Sequence, residues 1–376
     1  MLPSPSILMT LFAFLLLLAP LVVIHELGHY LVARLFGVKA DAFSVGFGKE
    51  LLGRTDKRGT RWKLCALPLG GYVQFAGDWN AISMPDAAAA ALPPGEREGI
   101  FHFKPLWQRS LIVAAGPVTN LLFAVVIFAA FNLAYGKLVA STEIARFGEN
   151  SPAMAAGMQV GDRIVSIDGR EVASFTDIPE LVAPFPGKTV TIAVNRGGDQ
   201  LTFPVRISDE TERDRFGNEG QVGRIGIGAG KVTVVPVGPI DAVTLAGSQT
   251  AGIMRMMITG LGQIVTGERS VKELGGPIKI AKYSGEQLSL GWLSFVSFAA
   301  LISINLAFIN FLPIPGLDGG HLAFYAAEAV RRKPLDIRSQ EWAFRAGMAL
   351  VLALMLFVTL NDIAGLPWAG LPWFGG

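Results

Sequence analysis

The chain lacks most of what holds a soluble or secreted protein together. Its 376 residues include one cysteine, Cys65, which excludes an intrachain disulfide and any cysteine-built metal cluster. Charged residues make up only 16% and the formal net charge is +2, so nothing in the balance points to nucleic acid as a partner. Histidine is scarce, with four in all, so any two that fall close together carry weight. Lys and Arg are missing from residues 1–6, and no small-x-small cleavage site precedes His25. That run therefore reads as a retained span and not as a signal peptide.

Apolar residues, by contrast, reach 51%, a membrane-like fraction. Crossing a bilayer takes about 20 apolar residues, and four stretches suffice: 7–36, 110–135, 292–313 and 343–360. The cations lie between the first and second of these (Lys39, Lys49, Arg54, Lys57, Arg58, Arg61, Lys63, Arg97, Lys104) and between the last two (Arg331, Arg332, Lys333, Arg338). The positive-inside rule then makes both loops cytoplasmic and places both termini and the region 136–291 outside. Trp368 and Trp373 suit the interface at the exit of the last span. The expected fold class is a polytopic α-helical membrane protein of four transmembrane helices, with an inserted α+β domain and a membrane-associated β-hairpin loop. Its divisions are a first span at 1–36, a loop with the hairpin at 37–109, a second span at 110–135, the inserted domain at 136–210, a linker with an amphipathic helix at 211–291, a third span at 292–316, a loop at 317–342, a fourth span at 343–362 and a tail at 363–376.

The chemistry concentrates at His25-Glu26-Leu27-Gly28-His29. On a helix, residues four apart share a face, so His25 and His29 can present two imidazoles to one ion. Glu26 can reach an attacking water without ligating. This is the H-E-x-x-H arrangement of zinc hydrolases, and it stands at the end of a stretch, 7–24, that carries no charge. Ionisable groups at such a depth are costly and point to function. A carboxylate at the end of the third span, Asp318, supplies a third ligand and leaves a fourth position open, as catalytic zinc requires. His321 is the competing ligand. Pro313 and Pro315 break the helix there, so that backbone groups line a cavity.

Other segments carry less specific signals. Two short apolar runs around Gly70-Gly71-Tyr72 read as strand, turn, strand: a surface hairpin, or a sheet edge beside the metal that receives an extended peptide. Residues 80–99, with an alanine run, look like a mobile connection. The second span holds Gly116-Pro117-Val118-Thr119-Asn120, and Asn120 needs a polar partner. Asp168-Gly169 marks a turn, residues 176–182 a short helix, and alternation at Val190, Ile192, Val194 and at Leu201, Phe203, Val205 a hairpin across Gly197-Gly198. This pattern resembles a PDZ domain of the bacterial protease type, a fold that takes peptide ends by strand addition. Met254, Met257, Ile258 and Leu261 recur at helical spacing and indicate an amphipathic helix at the outer membrane face.

Taken in order, His25–His29, Gly116–Asn120, the PDZ-like insert and Asn310-Phe-Leu-Pro-Ile-Pro-Gly-Leu-Asp-Gly resemble the site-2 protease family, and within it the bacterial RseP/RasP/MmpA group of intramembrane zinc metalloproteases. The resemblance implies zinc on His25, His29 and Asp318, a catalytic Glu26, and a bacterial inner-membrane location with the active site towards the cytoplasm. It also implies a substrate backbone held by Asn310 and by the strand edge at Gly70, Gly71 and Tyr72, with Asn120, Pro313 and Pro315 counted in the same substrate-binding set. The implied substrates are single-span membrane proteins already shortened by another protease, such as anti-sigma factors, or remnant signal peptides. Substrate or peptide ends would dock at the PDZ domain. Well-studied members carry two PDZ domains in tandem; one is found here. Two rival readings are a membrane zinc peptidase with Glu as third ligand and a non-catalytic membrane adaptor.

Overall fold

A computed structural model describes residues 5–77, 93, 97–213, 219–230, 232–268, 270–271, 274–333 and 337–364. The expected connection at 80–99 falls for the most part outside them, as do Trp368 and Trp373. The chain divides into two compact units, one of residues 5–127 with 267–376 and one centred on residues 128–266.

The first unit is mainly helical. Helix α1 (Ile7–Leu35) opens with Ser6 as N-cap, its hydroxyl accepting from the Met9 amide. A β-ribbon follows, β1 (Ala40–Thr55) paired antiparallel with β2 (Arg61–Phe75). After it come α2 (Leu106–Tyr135), whose last residues belong to the second unit, and then α6 (Pro277–Ser289), α7 (Trp292–Phe311), α8 (Asp318–Arg331) and α9 (Ile337–Ala364). Four of these helices, α1, α2, α7 and α9, are long and apolar enough to cross a membrane, as the hydropathy predicts. No fifth such helix occurs among the described residues.

The ribbon corrects one expectation. Gly70 and Gly71 do not form a turn, because β2 runs continuously through them and its partner strand comes from upstream. The turn lies at residues 56–60. There Asp56 accepts from the Arg58 and Thr60 amides and from the Trp62 indole N–H, and Gly59 takes the left-handed conformation. Gly70 has φ 133° and its Cα faces the Phe47 ring, so it marks an irregularity in the strand. The ribbon packs on α1 through Tyr30, Phe43 and Trp62, with Phe43 and Trp62 stacked at 4.6 Å.

Two further elements differ from expectation. Residues 277–289 were expected as linker, yet α6 packs on α1, where Gly285 leaves room for Thr10. Its first turn is capped by Asp362 of α9, which accepts from the Gly276 and Lys279 amides at 3.1 and 3.0 Å. The third apolar helix ends at Phe311 and not at the Leu-Asp-Gly sequence, which instead begins α8. Gly319 and Gly320 let that turn close, since a Cβ on either would strike the Phe311–Leu312 or Ile314 backbone.

The second unit is a small α+β domain. Its main sheet has the order β6-β5-β7-β8, from β5 (Arg163–Ile167), β6 (Arg170–Glu171), β7 (Thr189–Arg196) and β8 (Asp199–Arg206). Val190, Ile192, Val194 and Val205 are buried, as their alternation requires. Asp168 and Gly169 both have positive φ in the β5–β6 turn. Helices α3 (Pro152–Ala155) and α4 (Asp177–Val182) cover the sheet. The domain does not stop at 210. Of the later strands, β9 (Ser208–Arg213) pairs with β10 (Glu219–Arg224), β11 (Ile227–Ala229) with β4 (Ile144–Phe147), and β12 (Val232–Val235) with β3 (Lys137–Ala140). Short Gly-interrupted runs there have too little alternation to announce strands, and the partners of β11 and β12 lie about eighty to a hundred residues upstream. Helix α5 (Pro239–Val265) follows, where helical spacing predicts it.

Candidate metal centre

His25 and His29 stand on successive turns of α1, and Asp318 enters from the first turn of α8. His25 Nε2 lies 3.1 Å and His29 Nε2 3.5 Å from Asp318 Oδ2, and the two Nε2 atoms are 3.2 Å apart. Tetrahedral zinc with nitrogen and oxygen ligands at about 2.05 Å sets neighbouring donors about 3.3 Å apart. The triangle has that size. Oδ2 of Asp318 is buried without a well-directed hydrogen bond, although two imidazole nitrogens face it. His29 directs Nδ1 to the Ile112 carbonyl at 2.8 Å; the proton belongs there, so the Nε2 lone pair points inward at a carboxylate. Donor atoms turned on one another in this way fit a cation. This is the one such group among the described residues.

Helix α2 shapes the back of the site. A Cβ on Gly116 would overlap both His29 Nε2 and, at 2.8 Å, His25 Nε2, so only glycine leaves space for the two rings and an ion. One turn on, Asn120 is fully buried with its carboxamide 3.4 Å from His25 Nδ1. Its Oδ1 has no hydrogen-bond partner. Turning the amide over lets Oδ1 accept the Nδ1 hydrogen and frees His25 Nε2 for the metal. Ser303 of α7 donates to the Asn120 carbonyl at 2.8 Å and ties a third helix to this point.

The expected substrate residues divide. Glu26 is half-buried, and its Oε2 accepts from the Val73 N–H of β2 at 3.1 Å. Gly71 faces the same helix, with Glu26 Cγ 3.5 Å from where its Cβ would lie, and Tyr72 stacks on Phe47 at 6.1 Å. The Gly70–Val73 segment therefore adjoins the metal ligands. Asn120 is fully buried against His25. Asn310 donates to the Leu306 carbonyl of its own helix. Pro313 is exposed and Pro315 lies against α9, where Gly347 gives it room. His321 is paired with the Tyr325 ring, 6.5 Å between centroids, and takes no place in the triangle.

The site-2 protease pattern read from the residues is also what comparison returns. Peptidase family M50 matches residues 13–354. The chain belongs to this family, the site-2 proteases. It is 42% identical over 358 residues to "Putative zinc metalloprotease Atu1380" of Agrobacterium fabrum, covering 94% of this chain and 95% of that protein. It is also 36% identical over 387 residues to "Metalloprotease MmpA" of Caulobacter vibrioides, covering 95% and 96%. Among solved structures, the PDZ domain of an SdrC-like protein from Listeria innocua aligns with 24% of this chain and 92% of its own, at 26% identity and a TM-score of 0.19. The M50 chain is thus a multi-pass membrane zinc metalloprotease.

The second unit holds a cavity of about 370 Å³ that the sequence did not announce. Phe175, Ile178 and Val182 form one wall, and Val222, Ile225 and Ile227 the other. The first wall falls in the expected domain; the second belongs to the stretch read as linker.

Proposed function

We propose that this metalloprotease hydrolyses peptide bonds inside the transmembrane segments of single-span membrane proteins. The observation that carries the reading is the meeting of His25, Glu26 and His29, on a helix of membrane-spanning length, with Asp318 at the start of α8 and with a strand edge. When bound, zinc polarises the scissile carbonyl and makes a water acidic enough to attack near neutral pH. Glu26 takes the proton from that water and returns it to the leaving amine. A helical peptide bond is shielded by its own hydrogen bonds, so the substrate must unwind locally. The Gly70–Val73 edge then satisfies the freed backbone groups by strand addition.

In this reading the β1–β2 ribbon is membrane-associated. The chain sits in a bacterial inner membrane with both termini and the 128–266 unit outside and the site towards the cytoplasm, consistent with the placement of the cations. The outer unit is a PDZ domain that extends to Val235, and its apolar cavity takes the end of an extracytoplasmic peptide. Anti-sigma factors and remnant signal peptides are the substrate classes, and regulated intramembrane proteolysis is the process. Glu26→Gln tests the assignment. It should leave zinc content intact and lower cleavage of a model single-span substrate by about 10²–10⁴-fold, the share supplied by a positioned base. Retained cleavage removes Glu26 from the mechanism.

A further inference from the structure

The hydrogen bond from the Val73 amide to Glu26 Oε2 has a consequence for how the base is released. Strand β2 has β1 as its sheet partner in a two-stranded ribbon, and among the described residues its other edge carries no strand. Residues along a strand present N–H and C=O alternately to the two edges. The Val73 amide is directed away from β1, at the helix that bears the metal ligands. The contact is held from both sides. A Cβ on Gly71 would lie 2.6 Å from the Ser44 carbonyl and 3.5 Å from Val22 Cγ1 and Glu26 Cγ, so the strand is pressed against α1 with glycine at the closest approach. Buried Phe43, the residue across from Val73, fixes the ribbon in that register.

This N–H is also the donor that an added strand would use. A substrate backbone pairing with the open edge of β2 needs an amide there to give to its carbonyl, and the one beside the metal ligands is already given to the general base. We propose that Val73 is a positioning residue that couples substrate arrival to catalysis. At rest its N–H holds Glu26 Oε2; an extended substrate takes that N–H with one of its own carbonyls, and Glu26 is released to the attacking water. The inference rests on the strand-addition reading of β2. It makes the base available only where a peptide bond is in place, and it makes peptide binding compete with a hydrogen bond to a carboxylate.

The test uses full-length protein in detergent, stripped of metal by a chelator, and a short Val/Thr-rich peptide carrying a central benzophenone. Hydrogen bonds to a charged group are among the stronger ones. Glu26→Ala should therefore bind the peptide about tenfold more tightly than the parent protein, which corresponds to ~1.4 kcal/mol. Glu26→Gln, still an acceptor, should fall between. Amide exchange at Val73 should be faster in peptide-free Glu26→Ala. In Val73→Pro, which removes an edge donor without a ladder bond, Glu26→Ala should bring no gain. Crosslinks on β2 with equal affinity in parent and Glu26→Ala, and unchanged exchange at Val73, overturn the coupling while strand addition stands. Crosslinks confined to other segments overturn strand addition, and the coupling with it.

Discussion

Gly116 faces His29 so closely that a methyl group on its Cα would overlap the ring nitrogen assigned to the metal. Alanine is a better helix residue than glycine by about 0.5–1 kcal/mol, so a loss in Gly116→Ala cannot come from the helix itself. It would come from the rings being pushed out of position. The expected result is a zinc affinity lower by about 10–100-fold, the scale on which groups orienting a ligand act, with unchanged helical circular dichroism. Competition against a calibrated chelator measures it, and parental affinity would show that the site relaxes around the methyl.

Asn120 makes a companion prediction that separates hydrogen bonding from packing. If its carboxamide oxygen fixes the His25 tautomer, Asn120→Asp keeps an acceptor and should keep zinc. Asn120→Leu, of similar volume, should lose it by about 10–100-fold. Equal affinities in the two variants would assign the residue to helix packing alone.

The pairing of His25 and His29 was legible in the sequence for a physical reason: i and i+4 on a helix is a local geometry, and a charged motif beside an uncharged stretch stands out. Asp318 was legible because a carboxylate at the edge of an apolar span needs a partner. Its place at the start of a new helix was not, since it follows from Gly319 and Gly320 allowing two backbone segments to touch. The turn at Gly70-Gly71 was misplaced because Gly-Gly signals both turns and strand irregularities, and the true turn is closed by Asp56 with side-chain bonds that spacing does not display. Asn120 showed that it needed a partner but not which one, a contact ninety-five residues away in sequence. The far wall of the apolar cavity, Val222 to Ile227, was missed because β10 is short and interrupted by glycine and β11 forms only against β4, about eighty residues upstream.

Arg109 predicts a support for Asp318 from a distance. From α2 it donates to Glu328 Oε1 of α8 at 3.0 Å, and its guanidinium lies 4.9 Å from the Tyr325 ring centroid. Both partners are on the helix whose first residue is the third ligand, and both charged side chains are largely shielded. Lysine can supply the charge but not a planar group that bonds and stacks together. Arg109→Lys should therefore weaken zinc binding nearly as much as Arg109→Gln. A double-mutant cycle with Glu328→Gln should give a coupling of about 1–2 kcal/mol, within the range for residues in contact. Strict additivity would show that α8 is set in place by its apolar contacts alone.

The acid stability of the 128–266 unit should depend on one carboxylate. Asp162 is almost fully buried, and Arg196 grips it with two bonds, Nε to Oδ1 at 2.7 Å and Nη2 to Oδ2 at 2.8 Å. The hydrogen bonding from Arg196 holds its pKa below the ordinary value; burial opposes the shift, while the Gln159 amide adds to it. A folded-state pKa below the unfolded one stabilises the fold at all pH values above the unfolded pKa. That contribution is lost as pH falls through the ordinary carboxylate range towards the depressed folded value, where both states hold the proton. Protection of the β5 and β7 amides, corrected for the intrinsic pH dependence of exchange, should therefore fall steeply over that interval in the parent protein. In Asp162→Asn it should be lower at neutral pH and nearly flat below it, because the titrating group is gone. A variant that kept the steep acid limb would place the controlling carboxylate elsewhere in the domain.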